Sequence, residues 1–217
     1  ISWKEILQHK LEDLKLPKSG FTHQLLDHAI RVFFNLFYRY RAKGTDNIPE
    51  GPCIIIGNHR SGFDGVFISS KMKWSVAKRT FFFAKDKHFN FALGRFVAKR
   101  SNIILMNVNT NIRESLQKMS EVLKQGKNVI IFPEGTRAKD KKLKHFRDAF
   151  AILSTELNVP VVPVIIKGSE AATFKSIRVP KFLNKIELQF LKPVYPEPGE
   201  SIREFRSRIE TIYQKNL

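Results

Sequence analysis

Alternation of short apolar runs with segments of helical period predicts an α/β fold: a largely parallel sheet flanked by helices, led by an N-terminal amphipathic two-helix segment. Three observations carry that expectation. Apolar runs recur at 53–56, 80–84, 103–106, 129–132 and 161–166, each short enough for a buried strand. Between several of them stand stretches whose apolar residues fall three and four apart. The 217 residues, 42% hydrophobic, suffice for one globular domain with a sizeable core.

Taken in chain order, residues 3–16 place Trp3, Ile6, Leu7, Leu11 and Leu14 at helical steps, with Pro17 and Gly20 as the stop. A second helix is expected over 22–42, dense in apolar residues and interrupted or flanked by Arg31, Arg39, Arg41 and Lys43. The apolar run at 53–56 opens the sheet, followed by strands at 80–84 and 103–106. A helix over 111–125 starts at Asn111, with Glu114 three positions on, and stops at Gly126. Next come a strand at 129–132, a helix at 145–157, a strand at 161–166, an edge strand at 186–190 and a basic helix at 201–215. We divide the chain into a two-helix membrane-interface segment, 1–43, and an α/β domain, 44–217.

The formal charge is +18, from 38 basic and 20 acidic residues, which calls for an anionic partner. Nineteen phenylalanines accompany it, and basic plus aromatic suits a lipid interface or single-stranded nucleic acid. The helix at 22–42 is too short in apolar residues and too charged to span a bilayer. It fits a helix lying in the interface, with Phe33, Phe34 and Phe37 inward and Arg31 and Arg39 at headgroup level. Its apolar side fits packing on the domain core equally well. The single cysteine, Cys53, excludes an internal disulfide, and no Cys/His cluster has zinc spacing.

Ligands of parallel sheets collect at the carboxyl ends of the strands. The stretch "IIIGNHRSGFDG", 54–65, sets His59 and Asp64 just past such an end. A histidine can take a proton from a hydroxyl, and an aspartate can fix its tautomer from the far ring nitrogen. The same spacing also fits a capping aspartate beside an ordinary loop histidine. The run "PEGTR" follows another strand end. There Gly135 admits close backbone approach, Arg137 offers a planar fork for phosphate, and Glu134 and Thr136 can hold the loop or bind a hydroxyl. No G-x-S-x-G elbow, phosphate loop or base-paired cysteine supplies a protein nucleophile, so a substrate is expected to supply it.

Together "NHRSGFD" at 58–64, "FPEGTR" at 132–137 and "VPVVPV" at 159–164 resemble the blocks of the glycerolipid acyltransferase family, which includes 1-acylglycerol-3-phosphate acyltransferases. The blocks stand in the family's order, and the resemblance covers roughly residues 44–195. It implies that His59 is the general base and Asp64 its orienting partner. Glu134, Gly135, Thr136 and Arg137 would line the acceptor site, with Arg137 on its phosphate. The reaction implied moves an acyl group from an acyl-CoA or acyl carrier protein thioester to a lysophospholipid hydroxyl. It calls for no metal and no further cofactor.

The family's second block departs here. "AKDKHF" keeps Ala84 and Lys85 but has Lys87 and His88 where the family has Glu and Leu, and Asn107-Val108 stands at the Asp-Arg position. Lys85, Arg95, Lys99, Arg100 or Arg113 would have to replace the phosphate-binding arginine. "FRDA" carries Asp148 where the family has glycine. Two other readings stand beside this one: an acyltransferase with a different acceptor, and a basic lipid-surface or nucleic-acid binding module without turnover. An oriented His/Asp pair is not needed for simple binding. The expected partners are therefore an anionic membrane surface, an acceptor and a thioester, without nucleic acid, and the expected location is peripheral on the cytoplasmic face of a membrane.

Overall fold

The computed structural model describes residues 2–8, 16, 20–85, 92, 95–96, 101–106, 111–136, 143–172 and 185–217. Seven strands form one sheet: β1 (Arg39–Lys43), β2 (Ile54–Gly57), β3 (Thr80–Lys85), β4 (Ile103–Met106), β5 (Asn128–Ile131), β6 (Val161–Lys167) and β7 (Lys185–Phe190). Their order is β1-β7-β6-β2-β5-β3-β4. β6, β2, β5, β3 and β4 run parallel, whereas β7 pairs antiparallel with β6 and parallel with β1. The central strands are apolar on both sides, as a sheet covered on both faces requires.

The helices among the described residues are α1 (Trp3–Gln8), α2 (Phe21–Phe37), α3 (Asp64–Ser70), α4 (Trp74–Ala77), α5 (Ile112–Lys124), α6 (Ala149–Leu157) and α7 (Ile202–Asn216). One face of the sheet packs Ile54, Ile56, Val129 and Ile165 under α1, α5, α6 and α7. The other packs Ile55, Val162, Val164 and Ile186 with Phe34 of α2 and Phe67 of α3. The side chain of Asn111 caps α5 by accepting from Glu114 N at 2.9 Å. Ser201 and Glu204 close a capping box on α7.

Several expectations are corrected. The helix expected over 22–42 ends at Phe37, and residues 39–43 are instead the edge strand β1, hydrogen-bonded along its length to β7. Arg39, Arg41 and Lys43 alternate with Tyr40 and Ala42 because the period there is two, not 3.6. The strand expected at the edge, β7, lies one place inside it. Within the segment expected to stand at a membrane interface, α1 buries Ile6 and Leu7, and the carbonyl of Leu7 accepts from Ser120 Oγ on α5 at 3.3 Å. The continuation of the first helix over 9–15, and its stop at Pro17, lie outside the described residues.

The membrane-facing set divides in the same way. Phe34 is buried against Phe67, Tyr38 and Tyr40 and cannot face lipid. Arg31 also turns inward. Its Nε donates to Asp27 Oδ2 at 2.5 Å and its Nη2 to the Met72 carbonyl at 2.6 Å, tying α2 to the end of α3. Phe33 and Phe37 remain exposed, joined by Phe21, Leu25, Val32 and Leu36 on the same helix.

Candidate active site

β2 and β5 are neighbours, so the loops leaving their carboxyl ends meet. After Gly57 the chain turns into α3, whose first residue is Asp64. The Asp64 carboxylate is fully buried and reaches back over the turn. Its Oδ2 accepts from Arg60 N and Ser61 N, each at 2.7 Å, and stands 2.9 Å from His59 Nδ1. Two backbone donors thus fix the carboxylate, and the carboxylate fixes the imidazole. With Nδ1–H donating to Asp64, the lone pair on Nε2 is free to accept a proton. The His59 ring also stacks on Phe132, centroids 4.3 Å apart and planes 22° from parallel. Its side chain is 21% exposed, so it is held yet reachable.

Glu134 joins the two loops. Its buried carboxylate accepts from His59 N at 2.8 Å through Oε1 and from Lys144 N at 3.3 Å through Oε2. The turn that carries it needs Gly135, which has φ of +70° and lies against the Arg147 side chain. A Cβ there would stand 2.6 Å from Arg147 Nε, so a guanidinium lies directly on this turn. Lys144 Nζ donates to Thr136 Oγ1 at 3.0 Å, adding a second cation.

On the other side of β2, the parallel ladder to β6 is interrupted by side chains. The buried hydroxyl of Tyr213, from α7, accepts from Val164 N at 3.2 Å and donates to the Ile56 carbonyl at 2.7 Å. Burial pushes that hydroxyl's pKa far up, so it stays protonated. One step further, the Asn58 side chain donates to the Ile166 carbonyl at 2.8 Å and accepts from Ile166 N at 2.7 Å. Asn58 thereby substitutes for a further strand residue while the main chain leaves for His59. Asn58 and Tyr213 anchor the histidine's loop to β6.

The arrangement provides an oriented histidine at the carboxyl ends of two central strands, with cations beside it, and no described hydrogen bond joins a hydroxyl or thiol to its ring. Cys53 is buried at the other end of β2, and burial pushes its thiol up to about 12. The chain as a whole has known relatives. The family described as Acyltransferase matches residues 39–167, more than half of the chain.

The chain belongs to the acyltransferase family.

Among curated acyltransferases, a 1-acyl-sn-glycerol-3-phosphate acyltransferase of Pseudomonas aeruginosa is 30% identical over 128 residues, covering 58% of this chain and 48% of that protein. One from Limnanthes douglasii is 27% identical over 175 residues, 76% of this chain and 58% of its own length. The chain spans about half the length of such relatives. The crystal structure of the acyltransferase PlsC from Thermotoga maritima superposes with a TM-score of 0.68 at 24% identity, over 89% of this chain and 78% of that one, which establishes the shared fold.

Of the residues expected at the candidate site, His59, Asp64, Glu134, Gly135 and Thr136 come together. Arg137, Arg100 and the Lys85 side chain lie outside the described residues. Arg95 is exposed, and no described hydrogen bond or ion pair joins it to the two loops. Arg147, Lys144, Asn58 and Tyr213 were not singled out by sequence. Asn58 lay inside a recognised block without an assigned role. The others stand in segments that only the fold brings to the strand ends.

Proposed function

We propose that this chain transfers an acyl group from an acyl thioester to the free hydroxyl of a lysophospholipid such as 1-acyl-sn-glycerol-3-phosphate, giving phosphatidic acid. The observation that carries the proposal is the His59–Asp64 pair, held by Arg60 N and Ser61 N and set where β2 meets β5. His59 Nε2 accepts the proton of the acceptor hydroxyl as its oxygen attacks the thioester carbonyl. The carbon–sulfur bond then breaks, and the thiolate leaves with the proton carried by His59. Asp64 stabilises the imidazolium in between. Phe132 and Glu134 keep the ring and its backbone still, which matters because a displaced base loses much of its effect.

Arg147 and Lys144, beside the Gly135 turn, supply positive charge for the acceptor's phosphate. Arg137 joins them by its position in the matched block, and Lys85, Arg95 and Arg100 stay candidates for the arginine missing from the second block. The donor is an acyl-CoA or acyl carrier protein thioester, and neither metal nor further cofactor is called for. The chain would work as a peripheral protein on an anionic membrane surface, with the cytoplasmic face as the expected side and nucleic acid not a partner. Among the described residues no helix is long and apolar enough to cross a membrane, whereas α2 exposes Phe33, Leu36 and Phe37.

The test supplies purified protein with a labelled long-chain acyl thioester and a panel of lysophospholipids. The expected product is labelled phosphatidic acid from 1-acyl-sn-glycerol-3-phosphate. Label on another acceptor would overturn the acceptor assignment, and a folded protein that transfers to none would overturn the activity.

A further inference from the structure

The apolar side of α2 accounts for only half of a membrane contact. A cluster of basic side chains lies elsewhere, on the sheet. Odd-numbered residues of β1 and β7 sit side by side in register, Arg39 beside Lys185 and Arg41 beside Glu187. Lys167, at the end of β6, pairs with Glu187 from the other side. Lys43 completes the row on β1, where Arg39, Arg41 and Lys43 are exposed, Tyr40 between them is buried and Ala42 half-buried. Five cations thus surround one carboxylate on a single sheet face. Lys185 pairs with Glu187 at 2.8 Å. That hydrogen bond, with Lys43 and Lys167 nearby, holds the Glu187 carboxyl below its ordinary range.

Adjacent strands stand about 4.8 Å apart, so three of them span about 10 Å, one Debye length at 0.1 M salt. The cations therefore act as one charge. α7 covers this face over β6, where Ile165 is buried, but leaves it open over β7 and β1. Edge strands often carry lysine or arginine to prevent pairing with other chains. That accounts for β1 but not for Lys167 and Lys185, which lie on strands inside the sheet.

We infer that Arg41, Lys43, Lys167 and Lys185 form a second membrane contact that takes the phosphate headgroups of anionic lipids. The inference rests on the proposed peripheral function. Two features favour a lipid surface over other polyanions. One groove is lined by Leu36 at the end of α2 together with Arg39, Arg41 and Lys185, so the basic face runs into the exposed apolar one. The row of Arg39, Arg41, Lys43, Lys185, Glu187 and Lys167 itself holds no aromatic side chain, and Tyr38 and Tyr40, which line the adjoining groove, are buried, so the row offers no exposed platform for stacking bases. Lys167 follows Ile166, the residue clasped by Asn58, so a headgroup bound here sits beside the strand end that bears His59.

Vesicle sedimentation at low salt tests this, comparing phosphatidylcholine vesicles with vesicles that also contain phosphatidylglycerol. Replacing Arg41, Lys43, Lys167 and Lys185 together by glutamine should weaken binding to the anionic vesicles by at least about 100-fold, each cation being worth about fivefold. Binding to pure phosphatidylcholine should not change, and a thermal melt reports whether the variant is folded. Glu187→Gln acts in the opposite sense: it removes the one negative charge and should tighten anionic binding severalfold, a gain that misfolding cannot mimic. Wild-type protein that ignores both vesicles would overturn the peripheral reading and this inference with it. Wild-type binding that neither variant alters would overturn the inference alone, and an acidic protein as the true occupant of the face predicts that result.

Discussion

Asp64 is fully buried, and its Oδ2 takes all the donors while its Oδ1 has no hydrogen-bond partner. Such a group is placed for what it does to its neighbour. Asp64→Asn preserves shape and can still turn its one oxygen toward the two backbone N–H donors and the imidazole, but it removes the negative charge that stabilises the imidazolium once His59 has taken a proton. We expect turnover to fall by about 100-fold or more in His59→Ala and also in Asp64→Asn, with melting temperatures close to wild type for the histidine variant. Steady-state rates beside thermal melts check this, and a folded His59→Ala protein with wild-type turnover would sink the base assignment. Glu134 makes a different claim, since each of its oxygens accepts from one backbone N–H. Glu134→Gln sets an amide N–H against one of those donors, costing about 1–3 kcal/mol for the group left unpaired. We expect both a lower melting temperature and a lower kcat, because the same carboxylate holds the histidine's backbone and the loop carrying Arg147. A variant that lost stability but kept kcat would reduce Glu134 to scaffolding.

At the scale of elements, α2 meets the fold through few groups, and one of them titrates. His23 is buried with its ring edge-on to Trp74 of α4, and its Nδ1 has no hydrogen-bond partner. Burial lowers its pKa below the ordinary value near 6.5, and the nearby Asp27 only partly opposes the shift. The unfolded chain therefore binds this proton more readily than the folded one does. The contribution is fully present above about pH 6.5 and is lost as pH falls from there toward the folded-state value. We expect melting temperature to drop across that window and the drop to shrink in His23→Phe, as measured by melts over a pH series. An unchanged pH slope in the variant would assign the acid sensitivity elsewhere. Local signals made most elements readable: Asn111 and Glu114 mark the start of α5, and Ser201 opens α7 with Glu204 three residues on. β1 was misread because Arg-Tyr-Arg-Ala-Lys directly follows a helix and carries alternating charge that also fits a helix tail. What makes it a strand is β7, a partner remote in sequence.

Across the whole molecule, the half of the site built by short blocks after β2 and β5 could be read from sequence, because strand end and motif are contiguous there. The half delivered by distant segments could not. Nothing in the run holding Arg147 announces that it lies over Gly135, and nothing in α7 announces that the Tyr213 hydroxyl enters the β2–β6 ladder. The same division governs the proposed membrane side. Charge and phenylalanine content pointed to an anionic interface, but only packing separates Phe34, which faces the core, from Phe33, Leu36 and Phe37, which do not. Binding to anionic vesicles should therefore have two parts. Attraction between basic side chains and headgroups is screened by salt, within about 8 Å at physiological ionic strength. Burial of apolar side chains, at roughly 25 cal/mol per Å², is not. Raising salt should weaken binding without abolishing it, and Phe33, Leu36 and Phe37 changed together to serine should remove the part that survives. Because those side chains are exposed, the melting temperature of that variant should stay near wild type, whereas Phe34→Ser should lower it through a lost core contact. If the exposed side of α2 merely faces water, high salt alone will release the protein completely, and the serine variant will sediment with vesicles as the wild type does at every salt concentration.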